Sequence, residues 1–374
     1  MQRTDFIAVN EPLLDGNEKK YLAECIDTGW ISSEGPFVER FEKAFSNRVG
    51  REWGVAVCNG TAALDAAIEA LGIGPGDEVI LPAFTIISCI GQIIRCGAQP
   101  VLVDSDPRTW NMDVEQIERK ISPRTKAIMV VHTYGLPVDM DPVLAIAKRH
   151  GVSVIEDAAE AHGQTYRGRP CGSFGDISTF SFYPNKLVTT GEGGMIVTND
   201  DGLAATCYSL RNLCFQPQRR FVHERLGWNL RMTNLQAALG VAQLERIDEF
   251  AARKRAMGKR YTELLSGIAG LRLPLAKTDY ADNIYWVYGL MLAADIDFDA
   301  AEAMKRLASL GVGCRPFFCP MNQQPVLLEQ GLFAGESYPV AERMYRKGFY
   351  IPSGLALTEA QMTRVAETVG SIFK

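Results

Sequence analysis

The chain has 374 residues, 47% of them hydrophobic and 22% charged, with a formal net charge of −5. That balance describes a globular protein long enough for two domains, and without a basic block it excludes nucleic acid and anionic membranes as expected partners. Nine cysteines without a CxxC pair, beside four histidines, exclude a zinc framework or a disulfide scaffold.

The first sixteen residues, MQRTDFIAVNEPLLDG, lack the apolar core of a signal peptide, so a cytoplasmic location is expected. Helices are predicted over 16–28 and 37–49. They are joined by TGWISSEGP, where Trp30, Ser32 and Ser33 are as suited to touching a ligand as to packing on their own domain. Residues 54–57 read as a short strand, followed by CNGT and the helical run TAALDAAIEALGIG, with Ala63, Leu64, Ala67, Ile68 and Leu71 on one face. Asn59 is placed as an N-cap and Gly60 permits a tight entry. Free N–H groups of Gly60 and Thr61, with the Thr61 hydroxyl, make a phosphate site there, although many helices begin this way with nothing bound.

Strands and helices then alternate: DEVILPAF, a helix over 86–96, AQPVLVDSD, a helix over 114–121, TKAIMVVHTYG, a helix over 141–150, and GVSVIEDAAEAHG. The apolar run from Val79 to Cys96 is broken by Pro82, Gly91, Gln92 and Arg95, which excludes a membrane span. Val/Ile-rich strands between helices predict an α/β fold with a mostly parallel sheet covered on both faces, and ligands in such sheets gather beyond the strands' carboxyl ends. Asp157 ends one of these strands. A carboxylate there must be paired, either as a cap or against a protonated ring nitrogen. Glu160 and His162 follow on the same loop, and neither His162 nor His132 is assigned a catalytic proton.

In STFSFYPNKLVTTGEGGMIVT, Phe180, Phe182, Met195 and Val197 suit two short buried strands around a turn ending in Gly191, Gly193 and Gly194. Lys186 sits on that connection, where glycines let backbone approach a bound ring. Burial and cationic neighbours would leave it a neutral amine able to attack an aldehyde. A lone loop lysine is more often simply solvated. Beyond LGWNLRMTNLQAA the pattern becomes that of a smaller α+β unit, so the expected domains are 1–250 and 251–374.

The ordered set NGT, PAFT, VIEDAAEAHG, FSFYPNK with TTGEGGM, GWNLRMTNLQAA and RPFF resembles the DegT/DnrJ/EryC sugar aminotransferases. The resemblance implies the type I fold of pyridoxal 5′-phosphate (PLP) enzymes, with a large PLP-binding domain and a small C-terminal one. It implies that Lys186 forms the Schiff base, that Asp157 pairs with the pyridine nitrogen, and that Gly60, Thr61 and Ser181 hold the phosphate. Asn229 would arrive from the second subunit of a homodimer, and Glu160 would lie near the cofactor's phenolic oxygen or the substrate. L-glutamate is the implied donor and a GDP-linked 4-keto-6-deoxy sugar the implied acceptor, with a dTDP- or UDP-linked keto sugar as the alternative. The implied product enters a surface polysaccharide. Trp30, Ser32, Arg219, Arg220, His223, Arg231 and Arg315 are candidates for sugar or anion contacts.

Three departures from the family's pattern stand out. Ile86 occupies the position where many members stack an aromatic ring, so the cofactor ring would meet an aliphatic side chain or borrow Phe84. Pro184 stiffens the approach to the lysine. Asn322 replaces the histidine of the usual PLH motif and keeps its hydrogen bonding but not its proton chemistry. A sugar dehydratase of the same family carries histidine in place of the lysine, so Lys186 argues against that reading. The intact set of Lys186, Asp157, Thr61 and Ser181 argues against a non-catalytic PLP-binding protein.

Overall fold

The computed structural model describes residues 6–216 and 218–373. Residues 1–5, 217 and 374 lie outside the described residues, and with them the start of the amino-terminal stretch read above and one position of the loop before Asn229. Seven strands form the main sheet: β1 (Trp53–Val57), β2 (Glu78–Pro82), β3 (Gln99–Val103), β4 (Thr125–Val131), β5 (Ser153–Asp157), β6 (Ile177–Ser181) and β7 (Gly194–Thr198). Their order is β1-β7-β6-β5-β4-β2-β3. The pairs β2–β3, β2–β4, β4–β5 and β5–β6 are parallel, while β7 runs antiparallel to both its neighbours. The mostly parallel sheet expected from the sequence is therefore present.

Why the strands read as unbroken apolar runs is visible in their packing. Side chains alternate faces along a strand, and both faces are covered. Val79, Leu81, Ala127 and Met129 join one core with the helix Gly60–Ala70, while Ile80, Ile128 and Val130 join another with the helix Met140–His150. The same alternation parts two acids at the end of β5. Asp157 points to the face of the Gly60 helix, and Glu156 points to the opposite one.

Glu156 is fully buried and heavily solvated by protein donors. It pairs with His132 Nε2 at 2.9 Å and accepts hydrogen bonds from the N–H groups of Gly172, Phe174 and Gly175 and from the Ser178 hydroxyl. Since His132 Nδ1 accepts from Val138 N, its proton is assigned to Nε2. Burial alone would raise the carboxyl pKa, but His132 and the backbone donors outweigh it and hold the group at about 2. The folded value lies below the unfolded one, so this group's stabilisation is complete above about pH 4.5 and is lost as pH falls toward about 2, an effect of roughly 3 kcal/mol. Glu156→Ala, which strands these donors, is expected to cost about 3 to 5 kcal/mol in denaturant unfolding at neutral pH.

A second sheet, β8 (Leu271–Arg272), β9 (Tyr288–Leu292), β10 (Arg315–Pro316) and β11 (Gly348–Ile351), has the order β8-β9-β11-β10 and is antiparallel throughout. The expected boundary at residue 250 falls inside the helix Ile247–Leu265. Phe250 and Ala251 of this helix belong to the core of the large unit and Met257, Tyr261 and Leu265 to that of the small one, so a cut at 250 is a proposal about a helix serving both. Ile7 also packs in the small unit's core, bridging to Val312.

Two sequence expectations change. The helix predicted over 114–121 is a pair of 3-10 turns, Val114–Gln116 and Glu118–Lys120, because Asp113 folds back to cap Glu115 N and Pro123 follows too soon for a longer helix. In the small unit the apolar stretch GVGCRPFFCP reads as a strand, but only Arg315–Pro316 forms one, since Pro316 and Pro320 offer no N–H to a ladder. Among the described residues no helix is long and apolar enough to cross a membrane.

Candidate active site

The connection between β6 and β7 is pinned at several points before it presents its lysine. Phe180 and Phe182 are buried against Phe45. Thr190 N and Thr189 Oγ1 both donate to Phe182 O, and Gly191 turns the chain at φ 80°. A tight turn closes with Lys186 N donating to Tyr183 O at 2.9 Å. From this frame the Lys186 side chain, 11% exposed, reaches 3.5 Å from Glu160 Oε1 and lies 3.8 Å from the centroid of the Trp286 ring. Among the described residues, the wall of the cavity that Lys186 lines carries none of the cationic neighbours expected from the sequence. A carboxylate and an aromatic face meet the amine instead. Trp286 is itself fixed, its Nε1 donating to Asn185 O at 2.7 Å and its carbonyl accepting from the buried Lys254 at 2.8 Å.

Two acids flank the lysine. Glu160 is raised to about 7 because burial disfavours its charge, partly offset by Lys186 and by the Tyr134 N–H that donates to Oε2 at 2.9 Å. Asp157 is also raised by burial, although Oδ1 accepts from Ala159 N at 3.0 Å and Oδ2 from the Cys89 thiol at 3.3 Å. A carboxylate so placed calls for a cationic partner. His162 packs among Phe45, Phe180 and Phe182, and burial pushes it down to about 3, so it is neutral.

Across the cavity lies the glycine turn. Asn59 caps the helix Gly60–Ala70 by accepting from Ala62 N at 2.8 Å, as expected. The Thr61 hydroxyl sits 2.9 Å from that of Ser88, and Ser181 lies against Gly60 so closely that a Cβ on Gly60 would meet the Ser181 Cβ at 2.7 Å. Free N–H groups at a helix start with three hydroxyls around them form a donor set suited to a phosphate. In the same cavity Thr179 Oγ1 is buried with no protein partner. The residues present thus fit PLP: a donor cradle, an acid needing a cation and a lysine line one cavity. Gly60→Ala is expected to push Ser181 out of this cradle and weaken PLP binding about tenfold or more, read by titrating the visible absorbance of the loaded protein.

These groups share one cavity of about 490 Å³, lined among others by Thr61, Ile86, Ser88, Asp157, Glu160, Ser181, Lys186, Trp286, Phe318 and Tyr350. Size does not select it. A larger groove of about 720 Å³, walled by Asp106, Arg108, Asp113 and Tyr280, lies elsewhere and contains none of the candidate catalytic residues. Ile86 lines the wall at 45% exposure while Phe84 is fully buried behind it, so the aliphatic side chain and not Phe84 is available to a bound ring. Ser88, Trp286, Phe318 and Tyr350 escaped the sequence reading. Only the short spacing of Ser88 from Ile86 hinted at a site.

The remaining candidates lie off this wall in a single chain. Asn229 is exposed and bridges to Asn212, which accepts from Arg231 at 2.6 Å. His223 Nδ1 contacts Leu213 O, Arg219 pairs with Glu224, and Arg220 lies over Phe215. Trp30 O and Ser32 O both accept from the buried Asn234. Arg315 is exposed beside Tyr350, its register partner on β11. Asn322 anchors Glu336 O and Glu342, away from the cavity.

Residues 12–370 match the DegT/DnrJ/EryC1/StrS aminotransferase family. The chain is 47% identical to the GDP-perosamine synthase of Caulobacter vibrioides, covering 98% of each protein. It is 39% identical to that of Escherichia coli O157:H7, across 98% of this chain and 99% of that one. Its structure superposes on the aminotransferase TlmJ of Streptoalloteichus hindustanus with a TM-score of 0.90 at 30% identity over 98% of each chain. With DesV of S. venezuelae the TM-score is 0.87 at 33% identity, over 96% of this chain and 94% of that one.

Proposed function

The chain belongs to the DegT/DnrJ/EryC1/StrS aminotransferase family, a family of PLP-dependent enzymes, and from that premise we propose that it moves an amino group from L-glutamate to C4 of GDP-4-keto-6-deoxymannose, giving GDP-perosamine and 2-oxoglutarate. The observation that carries the choice of substrate is full-length identity of 47%, 39% and 38% to three proteins named GDP-perosamine synthase.

Bound PLP supplies an aldehyde that takes up the amino group and a ring that draws off the electron pair left at the substrate carbon. Lys186 Nζ would hold that aldehyde between turnovers and, once free, would carry the proton to and from the substrate carbon. Glu160 Oε1, 3.5 Å away, is placed to pass a proton to or from Nζ. Asp157 would pair with the ring nitrogen and keep it protonated. Gly60, Thr61 and Ser181, joined by Ser88, would hold the phosphate, and Ile86 would lie against the ring.

We further propose a homodimer with shared active sites. The segment bearing Asn229 and Arg231 runs beside the end of β1, with Cys58 N donating to Leu230 O at 2.8 Å, and in a dimer it would complete the neighbouring cavity. Trp30, Ser32, Arg219, His223 and Arg315 remain proposed sugar or anion contacts. A cytoplasmic location is proposed as well, supported by nine free thiols.

The test is to offer L-glutamate with a panel of GDP-, dTDP- and UDP-linked keto sugars and to identify the amino sugar by mass and NMR. Turnover confined to dTDP or UDP sugars would refute the GDP assignment while leaving the family untouched.

A further inference from the structure

Tyr134 is held in an unfavourable backbone conformation at the seat of the lysine's acid partner. It lies 3% exposed in the turn after β4 with φ 57° and ψ 18°, the left-handed region that a residue with a large side chain seldom occupies. Glycine follows at once, so relief of strain was one residue away. What the tyrosine gains is seen at its two ends. The N–H of His132 still follows the sheet ladder, donating to Asp157 O at 3.2 Å. Two residues on, the Tyr134 N–H leaves the ladder and donates to Glu160 Oε2 at 2.9 Å. At the far end the Tyr134 hydroxyl accepts from Phe318 N at 3.3 Å, and its ring stacks on Phe318 with centroids 5.5 Å apart.

Phe318 belongs to the segment after β10 and, like Glu160, lines the cavity. Tyr134 is not on the wall; it stands behind it and touches both residues. Flanking bonds fix the turn from outside: Thr133 N donates to Asn111 Oδ1 at 2.8 Å, and Gly135 O accepts from Gln164 Nε2 at 2.6 Å and from Ile284 N at 3.2 Å. Gly135 approaches the next segment so closely that a Cβ would meet Trp286 N at 2.6 Å.

We propose that Tyr134 is a positioning residue that ties the seat of Glu160, and through it the Glu160–Lys186 contact, to the Phe318 wall of the cavity. The inference rests on the reading of Lys186 and Glu160 as a working pair and adds what sets their spacing. The groups facing Glu160 are Lys186 and Asp157, with Cys89 of the helix Ser88–Arg95, Tyr350 of β11 and Tyr134 itself, and Glu160 shares a small gap with His162 and Lys254. Lys186 and the Tyr134 N–H both favour its ionised form. Loosening the turn weakens both, so the carboxyl should hold its proton to higher pH.

The test uses the full chain loaded with PLP and follows its visible absorbance through a pH titration. Tyr134→Phe removes only the hydroxyl that meets Phe318 N. The Glu160-dependent part of the transition should move upward by roughly half a unit to one unit as the seat of Glu160 loosens. In a Glu160→Gln background the same change should move nothing, which a merely structural tyrosine would not achieve. The rate of the half reaction with L-glutamate should fall about three- to tenfold with its KM unchanged. Tyr134→Asn, which tolerates the same φ but cannot reach Phe318, should shift the titration the same way. An unmoved transition in Tyr134→Phe, or an equal shift without Glu160, would overturn the inference. A wild-type protein that develops no visible band with PLP would instead remove the reading of Lys186 on which it stands.

Discussion

Lys186→Ala is expected to lower aminotransfer by at least about a thousandfold, about 4 kcal/mol on the barrier, and to abolish the visible band that the wild type forms with PLP. Both effects follow from losing one amine, which in the proposed function serves as the attachment point and as the carrier of the substrate proton. Stability should change little, for a reason the surroundings supply. The side chain gives up its contact with the Trp286 face at 3.8 Å and with Glu160 at 3.5 Å. Glu160 is already raised to about 7 by burial, and without Lys186 it can take up a proton instead of remaining a buried, unpaired charge. Its folded value lies above its unfolded one, so the folded state binds this proton more tightly. Stability is therefore lost as pH rises from about 4.5 through about 7. The alanine variant should show a steeper loss across and above that window than the wild type, measurable as denaturant midpoints below and above about pH 7. A small primary amine in the assay should restore part of the transfer, which separates a missing amine from a misfolded site. A variant that kept more than about a tenth of wild-type transfer would rule the lysine out.

The parts of this site legible in the sequence are those whose chemistry is local. Asn59 and Gly60 announce a helix start within a few residues, and that start is where the cradle forms. Asp157 stood out because a charge at the end of a Val/Ile strand needs a reason, and Lys186 because a glycine turn surrounds it. Trp286, Phe318 and Tyr350 were hidden for the opposite reason. They come from the small unit, at least about a hundred residues along the chain from Lys186, and aromatic residues in apolar strands read as core. The turn at Thr133–Gly135 shows a subtler limit. From TYG a reader assigns positive φ to the glycine, which has it at 99°, and nothing in the letters says that the tyrosine beside it has it too. Long-range contacts to Glu160 and Phe318 hold that conformation, and sequence patterns of period 2 or 3.6 carry no record of them. The exposed candidates Arg219, His223 and Asn229 were chosen by charge and resemblance, and they are not among the residues that line the cavity of their own chain.

Asp157→Asn is expected to affect the PLP-loaded and PLP-free proteins in opposite directions. In the loaded enzyme the ring nitrogen loses its fixed anion, and transfer should fall by about a hundred- to a thousandfold, roughly 3 to 4 kcal/mol. Affinity for PLP should weaken about tenfold. Without PLP the same carboxylate is a liability. It is 3% exposed, its pKa is raised by burial, and its protein partners are one backbone N–H and the weak donor of Cys89. Its folded value exceeds the ordinary 3.8, so charging it costs stability as pH rises. An amide of the same shape removes that cost, and the PLP-free variant should melt at or above the wild-type temperature at neutral pH. This opposition distinguishes the two roles open to the residue. If Asp157 served only to cap Ala159 N, the asparagine oxygen would accept that bond as well, neither form would change much, and transfer would persist. Lost transfer in the loaded enzyme, together with undiminished stability of the PLP-free protein, is the result expected of an acid whose partner is the cofactor ring.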